Sequence, residues 1–298
     1  MLPAKQLTGW DVLAKLQEYY RLIRFEHAMM LAVAVLIAEI IALGRFPPIE
    51  TLFFLSMVVP IFSEMGSFAL NDYMDIEADR INGMLGRPLV KGTIQPKSAL
   101  ILSIFCFAVS IAAGFMINAA AFAIALFFNL FAILYSVKLK DLPLLGNFFI
   151  ATTMAIPFIF GAYVYLESPP EIIWDIALLG FISGFAREIV KSVEDMEGDR
   201  KARKSKTLPM VIGKGPSLFV ASMLFLLFIP LTVVPFMAGL TLSFISGFFL
   251  FLADVSILIL ALYLLYERRE KTFSLVRKYS LGALFCGLLA LLLASLGF

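Results

Sequence analysis

Long apolar stretches separated by short polar segments dominate this chain of 298 residues. Each stretch is close to the roughly 17–25 residues that an α-helix needs to cross the hydrocarbon core of a bilayer. The nine predicted spans are residues 27–44, 51–70, 98–116, 119–137, 144–166, 171–191, 216–237, 241–265 and 279–297. The pattern therefore predicts an all-α fold, a polytopic membrane bundle of nine transmembrane helices.

The N-terminal segment, residues 1–26, has a different pattern. Apolar residues such as Trp10, Leu13 and Leu16 recur at roughly helical spacing, with basic residues between them. This arrangement is typical of an amphipathic helix that lies in the membrane interface. We expect residues 27–298 to form a single transmembrane domain.

The basic residues between the predicted spans predict how the chain is oriented. Of the 24 Lys and Arg residues, 23 fall in the N-terminal segment and in alternate loops on the same side. Basic loops remain in the cytoplasm. We therefore expect the N-terminus and the loops after the second and sixth spans to be cytoplasmic, and the C-terminus to lie outside.

The composition supports an integral membrane protein. Hydrophobic residues make up 61% of the chain, and the mean hydropathy is +0.94, whereas a soluble domain is about 45–50% apolar. Thirty Phe residues are consistent with an interior that faces lipid or a lipid-like substrate. The net charge of only +2 gives no reason to expect a nucleic-acid partner.

An acidic cluster follows the second predicted span directly. If the helix continued, Asp72, Asp75 and Asp79 would lie within about 60° of one another on its surface. Three carboxylates on one stripe repel each other, so a bound cation would stabilise them. Oxygen ligands favour Mg²⁺, and Asn71 would add a neutral oxygen, with Asp79 as a possible outer ligand.

A second acidic cluster follows the sixth span, with Asp195 and Asp199 one helical turn apart. The spacing Asp72-x-x-Asp75-x-x-x-Asp79 is matched by Ser192-x-x-Asp195-x-x-x-Asp199, where Ser192 replaces the first acid. Two such clusters in a membrane protein suggest a pair of metal ions that hold a diphosphate.

The two clusters also indicate an internal repeat, because they end spans that are four apart. We expect residues 27–140 and 144–265 to form two four-helix pseudo-repeats, with residues 279–298 as an additional helix. A parallel repeat would bring both acidic helix ends to one face, where they would share a central cavity.

Cationic side chains near the clusters are candidates for diphosphate binding. They are Arg80, Arg87, Lys91, Lys138, Lys140 and Lys191. Alternatively, these are ordinary charged residues at helix ends. Two clusters at repeat-related positions favour the binding site.

Four further polar residues lie inside or beside the first two spans. Glu64 lies mid-span and shares a helix face with Ser67, and an intramembrane acid suggests a functional site. Arg24 and His27 begin the first span and are candidates for an acceptor pocket. Simpler roles remain open: helix–helix hydrogen bonding for Glu64, packing for His27 and a membrane-boundary position for Arg24.

Three segments carry a family resemblance. The segment Asn71-Asp72-x-x-Asp75-x-x-x-Asp79-Arg80-Ile81-Asn82, with Arg87-Pro-Leu-Val-Lys-Gly92, resembles the first signature of the UbiA superfamily of membrane prenyltransferases. Glu194-Asp-Met-Glu-Gly-Asp-Arg200 with Lys206-Thr-Leu-Pro209 resembles the second signature. Tyr135-Ser-Val-Lys-Leu-Lys140 resembles the tyrosine and lysine segment after the family's fourth helix.

The resemblance implies a nine-helix bundle, a dependence on Mg²⁺, and transfer of an isoprenyl chain from its diphosphate to a lipophilic acceptor. It also implies that Asp72, Asp75, Asp195 and Asp199 hold the metal and that Tyr135 lies near the reacting carbon. Many members have Asp at the position of Ser192, so the ligands of the second motif differ here.

The acceptor is the least specific expectation. The segment Arg24-Phe-Glu-His27 favours an aromatic acid or another quinone precursor, and the alternative is geranylgeranylglyceryl phosphate of ether-lipid synthesis. A transporter of cations or phosphorylated solutes, or a non-catalytic assembly factor, would belong to another functional class. Transporters place their sites near the membrane midplane, whereas these acids cluster at one face.

Overall fold

The computed structural model describes residues 9–203, 205–267 and 270–298. Residues 1–8 of the predicted interfacial helix lie outside this part, as do residues 204, 268 and 269. The helices are α1 (Gly9–Ile23), α2 (Phe25–Leu43), α3 (Thr51–Met74), α4 (Ile76–Ile81), α5 (Pro88–Lys91), α6 (Pro96–Ile117), α7 (Ala119–Val137), α8 (Leu145–Tyr165), α9 (Glu171–Glu194), α10 (Met196–Arg203), α11 (Leu208–Ile212), α12 (Lys214–Leu231), α13 (Val234–Met237), α14 (Phe244–Tyr266) and α15 (Glu270–Ser295), with a 3₁₀ turn at Leu139–Asp141. The fold is a polytopic all-α bundle, and 84% of the described residues are helical.

Eight helices in the described ranges are long and apolar enough to cross a membrane. Seven are α2, α3, α6, α7, α8, α14 and most of α15, and the eighth joins α12 to α13 as Lys214–Met237. The exception is α9, which has 24 residues but carries acidic residues at its start and Arg187, Glu188 and Lys191 towards its end. The predicted count of nine spans is therefore not confirmed, although α9 packs between α8 and α12 in the bundle.

Small residues allow the central helices to approach closely. A Cβ atom on Gly161 of α8 would lie 2.5 Å from the carbonyl oxygen of Val35, and one on Gly180 of α9 would lie 2.5 Å from that of Met154. Close backbone approach at small residues is a common way to pack membrane helices. The α2, α8 and α9 helices consequently form a tight wall behind the central cavities.

The order of elements after α3 recurs after α9. In both places a long helix breaks at an aspartate, and a short helix with two acidic residues in its first turn follows. A short helix with proline in its first turn comes next, and then a long apolar helix. This recurrence is what the predicted repeat of residues 27–140 and 144–265 requires. It supports the repeat, which stays a prediction.

The N-terminal helix joins the bundle through a sharp turn at Arg24. Arg24 has a left-handed backbone conformation, with φ of 46°, which is uncommon for a residue with a side chain. In α1, Leu22 is fully buried against Ala69 and Leu89, whereas Leu13 is exposed. The predicted amphipathic helix therefore forms and packs on one face, and its place in the membrane interface remains a prediction.

Candidate active site

Both acidic motifs lie where a long helix breaks. The α3 helix ends at Met74 and α4 begins at Ile76, and Asp75 between them has φ of −102° and ψ of 3°. Asp195 occupies the same position between α9 and α10. The expectation of one continuous helical stripe through Asp72, Asp75 and Asp79 is therefore wrong, because Asp75 ends one helix and starts the next.

The two breaks bring both motifs to one cavity of about 60 Å³, which we call the polar chamber. Its lining from the first motif consists of Asn71, Asp75, Asp79, Asn82 and Arg87. Its lining from the second consists of Glu188, Lys191, Ser192, Asp195 and Asp199. The remaining residues are Arg24, Tyr135, Lys140, Thr207 and Arg277.

The motifs also pack directly against each other. The α4 and α10 helices are in contact, and the side chain of Asn82 lies against Gly198, where an added Cβ atom would be only 2.0 Å from Asn82 Oδ1. Glycine at position 198 therefore allows the two motifs to approach this closely.

The carboxylates of the first motif are paired with cationic side chains. Arg24 Nη2 donates to Asp72 Oδ1 at 3.0 Å, and Arg87 Nη1 lies 2.9 Å from the same oxygen. Arg87 Nη1 also lies 2.5 Å from Asp79 Oδ2, and Lys140 forms an ion pair with Asp75. Asp72 is buried beneath both arginines and does not line the polar chamber.

Burial, followed by the neighbouring carboxylates of Asp75 and Asp72, raises the pKa of Asp79 to about 6 even though Arg87 favours the ionised form. Desolvation and like charges both disfavour an ionised carboxylate. Burial therefore disfavours the ionised form of Asp79, and a divalent cation bound beside this carboxylate would favour it.

We expect Arg87→Met to lower the free energy of unfolding by about 3–5 kcal/mol, because it would leave two buried carboxylates without their shared partner. Asp72 and Asp79 are only 2% and 6% exposed. The measurement is thermal or denaturant unfolding of the purified protein. Arg80→Met is the matched control, because Arg80 pairs with Glu77 at the surface, and equal stability of the two variants would contradict the structural role of Arg87.

Three of the six predicted diphosphate-binding cations line the polar chamber: Arg87, Lys140 and Lys191. The structure does not bring the other three there. Arg80 and Lys138 are exposed, and Lys91 Nζ instead lies 3.2 Å from Glu18 of α1.

Arg277 of α15 is the main site residue that the sequence analysis missed. It lines the polar chamber, and its Nη1 lies 2.5 Å from Glu194 Oε2 at the end of α9. The available signal was a pair of basic residues, Arg277 and Lys278, directly before the last predicted span. The sequence analysis also missed Asn147, whose Nδ2 donates a hydrogen bond to Ser192 Oγ at 2.7 Å. Ser192 replaces the first acid of the second motif, and its hydroxyl is therefore already hydrogen-bonded within the protein.

A larger cavity of about 210 Å³, which we call the tail chamber, adjoins the polar chamber. Arg24, Asn71, Tyr135, Glu188, Lys191 and Arg277 line both cavities. Deeper in the bundle its walls are apolar and aromatic, formed by α3, α7 and α8, and they include Phe68, Phe128, Phe149 and Phe160. A charged headgroup and an apolar tail would therefore each meet a matching environment.

The boundary between the two chambers is formed by hydrogen-bonded polar residues. Tyr135 Oη donates to Glu188 Oε1 at 3.3 Å, and Lys191 Nζ donates to the same oxygen at 3.2 Å. Tyr135 also packs beside Phe149, with ring centroids 5.6 Å apart. The residue predicted to lie near the reacting carbon is thus at the junction of the polar and apolar cavities.

The weaker sequence candidates also lie at these cavities. Arg24, His27, Glu64 and Ser67 all line the tail chamber, whereas Asp79 and Ser192 line the polar chamber. The guanidinium of Arg24 is 4.3 Å from the centre of the Phe68 ring. Arg24 is therefore held by Asp72 and Phe68.

The donor atoms of the polar chamber fit Mg²⁺, which prefers carboxylate and carbonyl oxygens and keeps several waters. Asn71, Asp75, Asp79, Asp195 and Asp199 provide such oxygens around one cavity. Within the described residues, no three His, Cys, Asp or Glu side chains already converge on a single metal position. These residues would hold Mg²⁺ once a substrate diphosphate supplied further oxygen ligands.

Comparison with known proteins identifies the family. Residues 30–282 match the model of the UbiA prenyltransferase family. The digeranylgeranylglyceryl phosphate synthase of Methanopyrus kandleri is 35% identical over 75% of this chain and 80% of its own. The enzyme of the same name from Thermococcus gammatolerans is 30% identical over 95% of this chain and 99% of its own.

Solved structures show the same fold. A digeranylgeranylglyceryl phosphate synthase structure has a TM-score of 0.71 and 29% identity, and the match covers 96% of this chain and all of that one. A UbiA homologue from Archaeoglobus fulgidus bound to GPP and Mg²⁺ has a TM-score of 0.61 at 20% identity, over 92% of this chain and 99% of its own. With the family match over residues 30–282, these similarities show that the chain belongs to the UbiA prenyltransferase family and is a multi-pass membrane prenyltransferase.

Proposed function

We propose that the protein transfers a geranylgeranyl chain from geranylgeranyl diphosphate to geranylgeranylglyceryl phosphate, with Mg²⁺ as cofactor. The observation that carries this proposal is the junction of one polar chamber, lined by both acidic motifs, with an apolar tail chamber. The names of the relatives support the ether-lipid acceptor. The transporter and assembly-factor alternatives are not supported, because the family is one of prenyltransferases.

The quinone-precursor acceptor that we favoured from the sequence is not supported by the relatives. That expectation depended on the segment from Arg24 to His27. Arg24 is engaged with Asp72 at 3.0 Å and stacked on Phe68, so the chain's own contacts account for it. The same segment therefore carries no information about an aromatic acid.

We assign the diphosphate to the polar chamber. Mg²⁺, when bound, would neutralise charge on the diphosphate leaving group. Asp75, Asp79, Asp195 and Asp199 would hold the metal, with Asn71 as an additional oxygen donor. Asp72, which is buried under Arg24 and Arg87, would keep these arginines in place.

The cations of the polar chamber would bind the same leaving group. Arg87, Lys140 and Lys191 line the chamber, and preorganised positive groups stabilise charge that develops as a bond breaks. The carbon released from the diphosphate would lie beside Tyr135 and Phe149. Aromatic faces attract a developing carbocation, and the apolar walls of the tail chamber exclude water from it.

We also propose that the polar chamber faces the cytoplasm. The segments between α3 and α6 and between α9 and α12 contain 8 of the 24 Lys and Arg residues, and basic loops remain on that side. The diphosphate would then bind at the cytoplasmic side of the membrane, where soluble prenyl diphosphates are present.

The direct test is product formation by the purified protein in lipid nanodiscs. We expect labelled geranylgeranyl diphosphate to be transferred to geranylgeranylglyceryl phosphate, giving a lipid phosphate with two chains. 4-Hydroxybenzoate and a naphthoate acceptor, tested in parallel, should give no prenylated product. Transfer to either aromatic acceptor, with none to the lipid phosphate, would contradict the proposal.

A further inference from the structure

A second apolar cavity has a lining that for the most part differs from that of the tail chamber. It measures about 110 Å³, and we call it the lateral chamber. Its walls come from α2, α8, α9, α12, α14 and α15, together with Glu64 of α3, and almost all of its surface is apolar. The tail chamber, by contrast, is formed mainly by α3, α7 and α8.

The lateral chamber is elongated along the membrane normal. On α9 its lining extends from Arg187 to Ile176, which corresponds to about 16 Å at the helical rise. On α15 it extends from Leu281 to Leu291, or about 15 Å. An apolar space of this shape fits an extended hydrocarbon chain.

The two chambers adjoin each other between the polar end and the middle of the bundle. His27, Leu31, Glu64, Met154 and Arg187 line both of them. Two chains, one in each chamber, would therefore come together beside Arg187, which directly precedes Glu188 and lies one helical turn before Lys191 at the edge of the polar chamber.

Arg187 gives this junction a positive charge. Its Nε donates to Ser280 Oγ at 3.1 Å and its Nη2 to the carbonyl oxygen of Arg277 at 3.4 Å, both neutral acceptors. Among the described residues, no carboxylate lies within ion-pair distance of the guanidinium. A buried guanidinium with only neutral partners favours an anionic ligand, because burial of a charge is costly unless it is paired.

We propose that the lateral chamber, with Arg187 at its head, binds the acceptor: a single-chain lipid phosphate whose hydrocarbon occupies this chamber while the donor's chain occupies the tail chamber. This assignment rests on the proposed function. The acceptor phosphate would pair with Arg187. Its glycerol hydroxyl would then lie within about 6 Å of Lys191 along α9, close to the Tyr135–Glu188 pair where the donor carbon is released.

Gly287 of α15 offers a variant that fills the lateral chamber. Gly287 lines it, and a Cβ atom there would meet only Ala253 Cβ, at 3.9 Å, so Gly287→Phe places a ring in the cavity without a backbone clash. Gly282→Phe is the matched control on the same helix, because Gly282 is exposed and a Cβ atom there meets no described atom within 4 Å.

The experiment measures binding of geranylgeranylglyceryl phosphate to the full-length protein in nanodiscs saturated with geranylgeranyl thiodiphosphate, an unreactive donor analogue. We expect the wild type and Gly282→Phe to bind both ligands together. Gly287→Phe should bind the lipid phosphate about tenfold or more weakly, because several methylenes lose their apolar site, while its affinity for the donor analogue changes less than about twofold. Arg187→Gln should weaken binding of the lipid phosphate more than binding of its dephosphorylated alcohol.

Two outcomes would overturn the assignment. One is displacement of the donor analogue by the lipid phosphate in the wild type, a measurement that needs no variant. The other is unchanged acceptor affinity in folded Gly287→Phe. If the wild type binds both ligands but forms no two-chain product with the reactive donor, the proposed function fails and the two-chamber assignment stands.

Discussion

Asp195→Asn is expected to lower kcat for prenyl transfer by about 10²–10³-fold or more, since it removes one charged oxygen from the site that stabilises the leaving diphosphate. Asp195 lines the polar chamber and lies between α9 and α10. The amide has nearly the volume of the carboxylate, so the helix break should persist. The measurement is single-turnover transfer in nanodiscs, together with the unfolding temperature.

The matched control is Glu197→Gln, two residues further along α10. Glu197 is exposed and only 3.8 Å from Lys201 in a surface ion pair, so its loss should change kcat by less than about twofold. If Asp195→Asn and Glu197→Gln retained equal activity, the second acidic motif would have no role in binding metal or diphosphate.

Removal of Mg²⁺ is expected to have an effect of similar or larger size. With EDTA, transfer should fall to the level of a protein-free reaction, and added Mg²⁺ should restore it. Ca²⁺ should restore much less, because it prefers more ligands at longer distances than Mg²⁺. The measurement is initial rate against free metal concentration, with prenyl diphosphate held constant.

The unfolding temperature in EDTA serves as the control for this experiment. The carboxylates of the first motif are already paired with Arg24, Arg87 and Lys140, so the fold should survive metal removal. Transfer at the original rate in EDTA would show that the cations of the chain suffice, and would contradict the assignment of Mg²⁺.

Much of the fold could be predicted from the sequence, because hydrophobic runs of the required length have few alternatives in a bilayer. The convergence of the two acidic motifs also followed from sequence, since repeat-related positions end at the same face. The α9 helix is harder to classify: Arg187, Glu188 and Lys191 lower its hydropathy and are the same residues that line the cavities.

The details of the site could not be predicted, because they depend on where helices break and on contacts between distant segments. A helical projection that treats residues 72–79 as one continuous helix leaves out the break between α3 and α4 at Asp75. The pairing of Lys91 with Glu18 spans 73 residues. Arg277 reaches the site only because α15 packs beside α9, and no local pattern in the sequence contains that information.

The close contact between Gly198 and Asn82 means that the site can be lost by a substitution at an uncharged position. Any larger residue at position 198 would clash with Asn82 and push α4 and α10 apart. Every charged side chain of the two motifs would still be present. The site would be lost because the two motifs had moved apart, so adding carboxylates would not restore it. A compensating change would have to shorten the side chain of residue 82, because that side chain is what a Cβ atom at position 198 meets.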